Sequence, residues 1–138
     1  MSDRKDCIFC KIVAGEMPSF KIYEDEHVLA FLDIFPATKG HTLVIPKEHA
    51  GNIFEISSEA WSQVQETVRR IAGPLEKTMD AVGINLAMNN REGAGQVVHH
   101  AHVHLIPRYA GDGLKLWQHG KYAEGEAAQL AEKIKTEL

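Results

Sequence analysis

The chain has 138 residues, 44% of them hydrophobic and 25% charged, with a formal net charge of −4; this is the balance of one globular domain with an ordinary core. The acidity and the lack of a basic stripe exclude a dedicated nucleic-acid binder. No apolar run approaches the roughly 20 residues of a membrane span, and the opening MSDRKDCIFC has no apolar signal region, so a cytoplasmic setting with no membrane partner is expected.

Taken in chain order, CIFCKIVA (7–14) reads as a short helix or turn ended by Gly15 and Pro18. It carries both cysteines of the chain, Cys7 and Cys10. That C-x-x-C spacing would staple little of a fold as a disulfide, and fits a metal or redox role in a reducing compartment better. Strands are expected near 20–24 and 28–34 around a turn at Asp25-Glu26. FPATKG (35–40) is a loop, and HTLVIPK (41–47) is a strand closed by Pro46. A long helix follows, with Ser58 as its expected N-cap and Trp61, Val64, Val68, Ile71, Leu75 and Met79 at helical spacing. Gly73-Pro74 should kink or interrupt it, because Pro74 cannot donate a backbone hydrogen bond. INLAMN (84–89) reads as a strand, NREGAGQ (90–96) as a glycine-containing loop, HHAHVHLIPRY (99–109) as a strand, and the stretch from Glu124 as a terminal helix. Strand runs with one long helix between them indicate an α+β fold with an antiparallel sheet.

Four of the eight histidines lie within six positions, His99, His100, His102 and His104. On a strand, alternate side chains share a face. His100, His102, His104 and Ile106 would point one way, and Ala101, Val103 and Leu105 the other, as a core face requires. His99 falls with the apolar set, and the pattern assigns it no role. Imidazole serves as a nucleophile or as a metal ligand. Same-face neighbours are about 6.6–6.8 Å apart along a strand, too far for three to share one ion comfortably. Separate roles as ligand, nucleophile and phosphate contact fit that spacing better. The preceding loop, with Asn89, Asn90, Gly93 and Gly95, lets backbone N–H groups approach an anion.

His100-Ala101-His102-Val103-His104-Leu105-Ile106 resembles the His-φ-His-φ-His-φ-φ signature of the histidine triad (HIT) family. CIFCKIVAGEMPS, FLDIFPATKGHTLVIPKEH and NNREGAGQ resemble its other blocks in the same order. The likeness covers roughly residues 7–110 and is strongest to the bacterial, Hint-like branch. It implies a single HIT domain spanning 1–138, with its core at about 7–110 and a tail at 111–138. The implied fold is a sheet of about five antiparallel strands, one long helix and a C-terminal helix, dimerising into a larger sheet.

The implied activity is hydrolysis or transfer at the α-phosphate of purine nucleotides through a nucleotidyl-histidine. Cleavage of AMP–amine conjugates is the first expectation. Alternatives are a dinucleoside polyphosphate hydrolase, or a nucleotide-binding regulatory module whose slow hydrolysis is incidental. A metal-buffering or redox protein built on C-x-x-C is a further reading of the residues.

By the same resemblance, His102 is the nucleophile, oriented by the carbonyl of His100, and His104 contacts phosphate together with Asn89 and the backbone at Gly95 and Val97. Gln96 sits near the phosphates. Asp33 holds the ribose hydroxyls and Ile34 forms the floor under the base. Cys7, Cys10, His49 and His100 would bind a structural zinc, a complete tetrahedral set with no open position. His41 would support the site from behind, and His27 and His119 read as surface residues. Three departures stand out. Val97 lies where Hint-type members often have Ser, His99 replaces a usual aromatic, and Gly73-Pro74 falls inside the usual long helix. Trp117, in LKLWQHGKY, could reach a partner's site.

Overall fold

Alternating apolar side chains on the central strands bury both faces of one sheet, and that sets the architecture. The computed structural model describes residues 5–138, so the sequence reading of the first four positions lies outside the described residues. Five strands, β1 (Lys21–Glu24), β2 (Val28–Leu32), β3 (Thr42–Pro46), β4 (Gly83–Ala87) and β5 (Val103–Arg108), form an antiparallel sheet in the order β1-β2-β3-β5-β4. Helix α1 (Ile8–Val13) precedes it, α2 (Ser58–Met79) lies between β3 and β4, and α3 (Glu126–Thr136) follows.

The period of two divides the core. Val28, Ala30, Val44, Val103 and Leu105 pack with Val64, Val68 and Leu75 of α2 on one face. Leu29, Phe31, Leu43 and Ile45 pack with Cys7, Phe9 and Ile12 of the N-terminal segment on the other. A strand covered on both sides cannot alternate apolar with polar. β3 is accordingly buried along its whole length. β5 alternates buried and half-buried residues, with Val103, Leu105 and Pro107 inward.

The N-cap of α2 is Ser57, one residue before the expected Ser58; its side chain accepts from Ala60 N–H at 3.1 Å. Gly73-Pro74 does not interrupt this helix, which runs unbroken for 22 residues. Pro74 leaves the Arg70 carbonyl without its intrahelical donor. Arg70, Gly73 and Pro74 are all exposed, so water can serve that carbonyl.

The histidine stretch also departs from expectation. Regular strand begins at Val103 rather than 99. The β3–β5 ladder stops at the Val44–Val103 pair. Beyond it the backbone donor of Ala101 goes to Ala50 O at 2.7 Å, and the Pro46 carbonyl takes the His100 ring at 2.8 Å instead of a strand partner. β4 ends at Ala87 rather than 89, and α3 starts at Glu126 behind Gly125, which adopts a left-handed φ of 77°. Every residue from Gly113 onward is exposed. Among the described residues, no helix is long and apolar enough to cross a membrane.

Candidate functional site

Sheet register brings the polar residues together on the α1 face. Leu43 pairs with His104, so His41, two residues upstream, lies diagonally beside His104 on the same face. Asp33 N–H donates to His41 O at 2.9 Å, continuing the β2–β3 pairing by one residue. Ala87 pairs with His104 on the other flank, which carries the chain on to Asn89 beside His102. Phe9 of α1 closes the back, its ring centroid 5.2 Å from that of His102. The result is a cleft of about 450 Å³ whose lining includes Asp33, Ile34, Asn89, Val97, His102 and His104. Its other wall is apolar, with Ile8, Ile12 and Phe31 among the lining residues. Among the described residues, no Lys or Arg lines it.

A neutral imidazole has one N–H and one lone pair, so each ring's partners assign its proton. His102 Nδ1 lies 2.7 Å from the His100 carbonyl, which can only accept. Nδ1 therefore carries the hydrogen, and the Nε2 lone pair is left for chemistry. Ala37 N–H donates to His41 Nδ1 at 2.9 Å, so the hydrogen of His41 sits on Nε2. That Nε2 is 2.8 Å from His104 Nδ1, and donation there leaves the hydrogen of His104 on Nε2. Asp33 Oδ2 stands 3.8 Å from the same His41 nitrogen, and its other oxygen accepts from Phe35 N–H at 2.8 Å.

Burial favours the neutral rings. It lowers the pKa of His41, opposed by the charge of Asp33 and assisted by His102. Burial likewise lowers that of His102, against the His100 carbonyl and Asp33. For His104, burial and the neighbouring His102 and His41 bring the value down to about 4, with Asp33 opposing. Each shift favours the uncharged ring at neutral pH.

The second cluster joins α1 to the stretch before β5. Cys7 caps α1 and accepts from Cys10 N–H through Sγ at 3.4 Å. One helical turn apart, the two sulfurs point the same way. Cys7 Sγ is 3.4 Å from His100 Nδ1, and Cys10 Sγ is 3.2 Å from His49 Nδ1 and 3.6 Å from His100 Nδ1. The two ring nitrogens are 3.2 Å apart. His100, fully buried, donates its Nε2–H to Pro46 O, so its Nδ1 lone pair faces the sulfurs. Zinc with Zn–S of about 2.3 Å and Zn–N of about 2.0–2.1 Å implies S···N edges of about 3.5–3.6 Å and an N···N edge of about 3.3–3.4 Å. The three S···N distances and the N···N distance lie close to those edges, and all four donor atoms fall within 4.8 Å of one another. Neither cysteine is in a disulfide.

His100 thus shares the Phe9 ring with His102, but its imidazole belongs to the metal-type cluster and it meets the catalytic-type rings through its carbonyl. Gln96 does not line the cleft. Its Oε1 accepts from Arg91 N–H at 2.7 Å, and its Nε2 donates to Gly51 O at 2.5 Å and Val98 O at 2.9 Å. The amide braces the glycine loop from inside. Ile34 and Val97 are exposed at the mouth, Val97 by 94%. Gly95 lines the cleft in a left-handed conformation, φ 92°, with its carbonyl 3.4 Å from Asn89 Nδ2. His27 is half-exposed, His119 is exposed, and Trp117 stands 91% in solvent. His99, to which the strand pattern gives no role, faces Glu55, with Nε2 and Oε2 3.7 Å apart. The two residues sit in separate, distant segments of the chain, and no local pattern pairs them.

Residues 14–111 match the model of the HIT domain. "Protein hit" of Bacillus subtilis is 54% identical over 110 residues, 79% of this chain and 76% of that one. An Arabidopsis thaliana protein named adenylylsulfatase HINT3 is 37% identical over 139 residues, 98% of this chain and 71% of its own. The structure of a zinc-bound histidine triad family protein from Mycobacterium smegmatis superposes with a TM-score of 0.77 at 37% identity, covering 97% of this chain and 99% of that one. Matching domain, sheet and triad together, the chain belongs to the histidine triad (HIT) family, on its Hint-like branch.

Proposed function

We propose that the protein is a nucleotidyl hydrolase or transferase that cleaves AMP conjugated through its α-phosphate to an amine. The observation that carries this reading is the pair of assigned rings in one cleft. His102 offers a lone pair on Nε2 and His104 offers a hydrogen on Nε2, so a nucleophile stands beside a phosphate-oxygen donor. In the first step His102 Nε2 bonds to phosphorus and the P–N bond to the amine breaks, the amine taking a proton from solvent. His102 Nδ1–H stays on the His100 carbonyl, which supports the positive charge forming on the ring. Water then attacks phosphorus, AMP leaves, and His102 is regenerated. Asp33 would hold the ribose hydroxyls, Ile34 the base, and Asn89 with the backbone at Gly95 and Val97 the phosphate oxygens. Gln96 would act by holding that loop in shape.

The absence of Lys and Arg from the described lining favours a monophosphate conjugate over a dinucleoside polyphosphate, whose extra charges need cationic partners. A regulatory binding module would not need two rings preset for attack and donation. The name of the Arabidopsis relative is consistent with chemistry at an adenylyl phosphorus.

The Cys7, Cys10, His49 and His100 set would hold a structural zinc, tying α1 to the residues that position His102. The ion would supply cross-linking only, since four protein donors leave no open position. The zinc-bound relative agrees with this. Cysteines serving as metal ligands would also suit the cytoplasmic setting expected from the sequence.

A homodimer belongs to the same reading. β4 is an edge strand, and beside it a groove of about 530 Å³ exposes Trp61, Leu86 and Met88. A second copy would extend the sheet from β4 and cover that groove with its own.

In steady-state assays with a fluorogenic AMP-amide and a diadenosine polyphosphate, the amide is the better substrate. His102→Ala lowers turnover by at least about 10³-fold, and full activity in that variant would exclude His102 as nucleophile. Val97→Ser raises kcat for amine leaving groups by roughly 10-fold, by placing a hydroxyl donor at the mouth.

Elemental analysis of purified protein gives one zinc per chain. Chelation lowers the thermal midpoint, and His49→Ala abolishes the stoichiometry; a metal-free chain of unchanged stability excludes the site.

Light scattering gives the mass of two chains, and Leu86→Arg gives the mass of one.

Stability should fall with acidity in a defined window. Because His104 titrates at about 4 when folded, against about 6.5 when unfolded, the unfolded chain takes the proton first. The contribution is complete above about pH 6.5 and is lost as pH falls toward 4. Thermal midpoints measured across that range decline, and the decline is shallower in His104→Asn.

A further inference from the structure

Asp33, His41 and His104 bring three donor atoms within 4.8 Å of one another, which by composition alone resembles an open metal site. The hydrogens say otherwise. Ala37 N–H occupies His41 Nδ1 at 2.9 Å, and a main-chain amide can only donate. A cation on His41 Nε2 would move the ring proton to Nδ1, against that amide. Nε2 is therefore a donor. It has one acceptor within hydrogen-bond distance, His104 Nδ1 at 2.8 Å. The His41 ring is 6% exposed, so water does not compete for it.

We propose that His41 is a positioning residue, a tautomer lock that forces His104 to present its N–H, rather than its lone pair, to the cleft. The inference rests on the reading that His104 contacts the phosphate. A free imidazole exchanges its hydrogen between two nitrogens. In the form with hydrogen on Nδ1, His104 would aim a lone pair at a phosphate oxygen and repel it. The chain Ala37 N–H to His41 to His104 removes that form by direction alone. It is a lock and not a proton relay. If His104 gave its Nε2 proton away, His41 could not replace it, because its own Nδ1 faces a donor and cannot take up a proton in exchange. His104 is thus held as a hydrogen-bond donor throughout the cycle. Asp33 Oδ2, at 3.8 Å from His41 Nε2, is the other acceptor nearby. A ribose engaging Asp33 would draw it away and leave His41 committed to His104.

The test uses the whole protein with uniformly 15N-labelled histidine. In the wild type, the ring-nitrogen shifts of His104 report Nε2–H, and a scalar coupling crosses the hydrogen bond from His41 Nε2 to His104 Nδ1. His104 protonated on Nδ1, or the lack of that coupling, overturns the lock without any assay of turnover. His41→Asn keeps an acceptor for Ala37 but cannot reach His104, and should release a mixture of His104 tautomers. It should lower kcat by roughly 10–100-fold with a smaller change in KM, short of the ~10⁴-fold cost of a wrong tautomer at a general base. His41→Gln restores a donor at the Nε2 position and should recover most of both the tautomer signal and kcat. Equal loss in the Asn and Gln variants, with His104 still showing Nε2–H in each, overturns the proposal. Full turnover in His102→Ala would instead refute the hydrolase reading and leave the tautomer measurements standing.

Discussion

One ring proton per neutral histidine, and a backbone group to say which nitrogen holds it, is the constraint on which both clusters depend. The Pro46 carbonyl puts the hydrogen of His100 on Nε2 and turns Nδ1 toward the two sulfurs. The His100 carbonyl puts that of His102 on Nδ1 and frees Nε2. The Ala37 amide puts that of His41 on Nε2, and His41 does the same for His104. In the proposed reading, four rings of identical chemistry become a ligand, a nucleophile, a lock and a donor. The assignment needs neutral rings, and burial favours the neutral form of His41, His102 and His104.

Those backbone groups are available because the ladder between β3 and β5 stops early. Had the two strands paired beyond Val44–Val103, the Pro46 carbonyl and the Ala101 amide would have had strand partners. Pro46 contributes to the break, since it has no N–H to continue the exchange. The irregular stretch 99–102 is thus where strand hydrogen bonding is traded for histidine orientation. A sheet buried on both faces tolerates this, because α2 holds Val103 and Leu105 from one side while Phe9 and Ile12 hold the other. If the C-x-x-C cluster carries a metal, the same α1 segment is fixed at a second point.

Much of this was legible in the chain itself, and the misses have physical causes. Periodicity found all five strands and the long helix, because a two-residue or a 3.6-residue repeat of apolar side chains is a local property. It also separated His102 and His104 from Val103 and Leu105. It also set His100 on the face of His102, and the Phe9 ring meets both; what strand geometry misses is that the hydrogen bonds of this stretch go elsewhere, since nothing local reveals a carbonyl 54 positions away. Pro74 reads as a breaker, yet a lost hydrogen bond costs little where the orphan carbonyl faces water. His41 reads only as support. The role proposed for it depends on Ala37 and on His104, 63 residues distant, and a single sequence carries no sign of that pairing.

Gln96 shows the limit of reading a role from position. A polar residue between Gly95 and Val97 sits where a phosphate contact is expected, yet it is 8% exposed and its amide is fully engaged. The reason lies at Arg91. That residue holds φ 77° and ψ 154°, a conformation close to one reserved for glycine and costing on the order of 1–3 kcal/mol. Such a backbone persists only where its surroundings over-determine it. Gln96 Oε1 takes the Arg91 N–H, Asn90 Oδ1 takes the Ile53 N–H at 2.7 Å, and the Arg91 guanidinium lies 4.2 Å over the Phe54 ring. These contacts bind the glycine loop to the segment after β3, which also carries His49 and Gly51. The loop that would cradle phosphate and the segment that would hold the metal are thereby one mechanical unit, so a change at either is felt at His102 through the backbone that orients it.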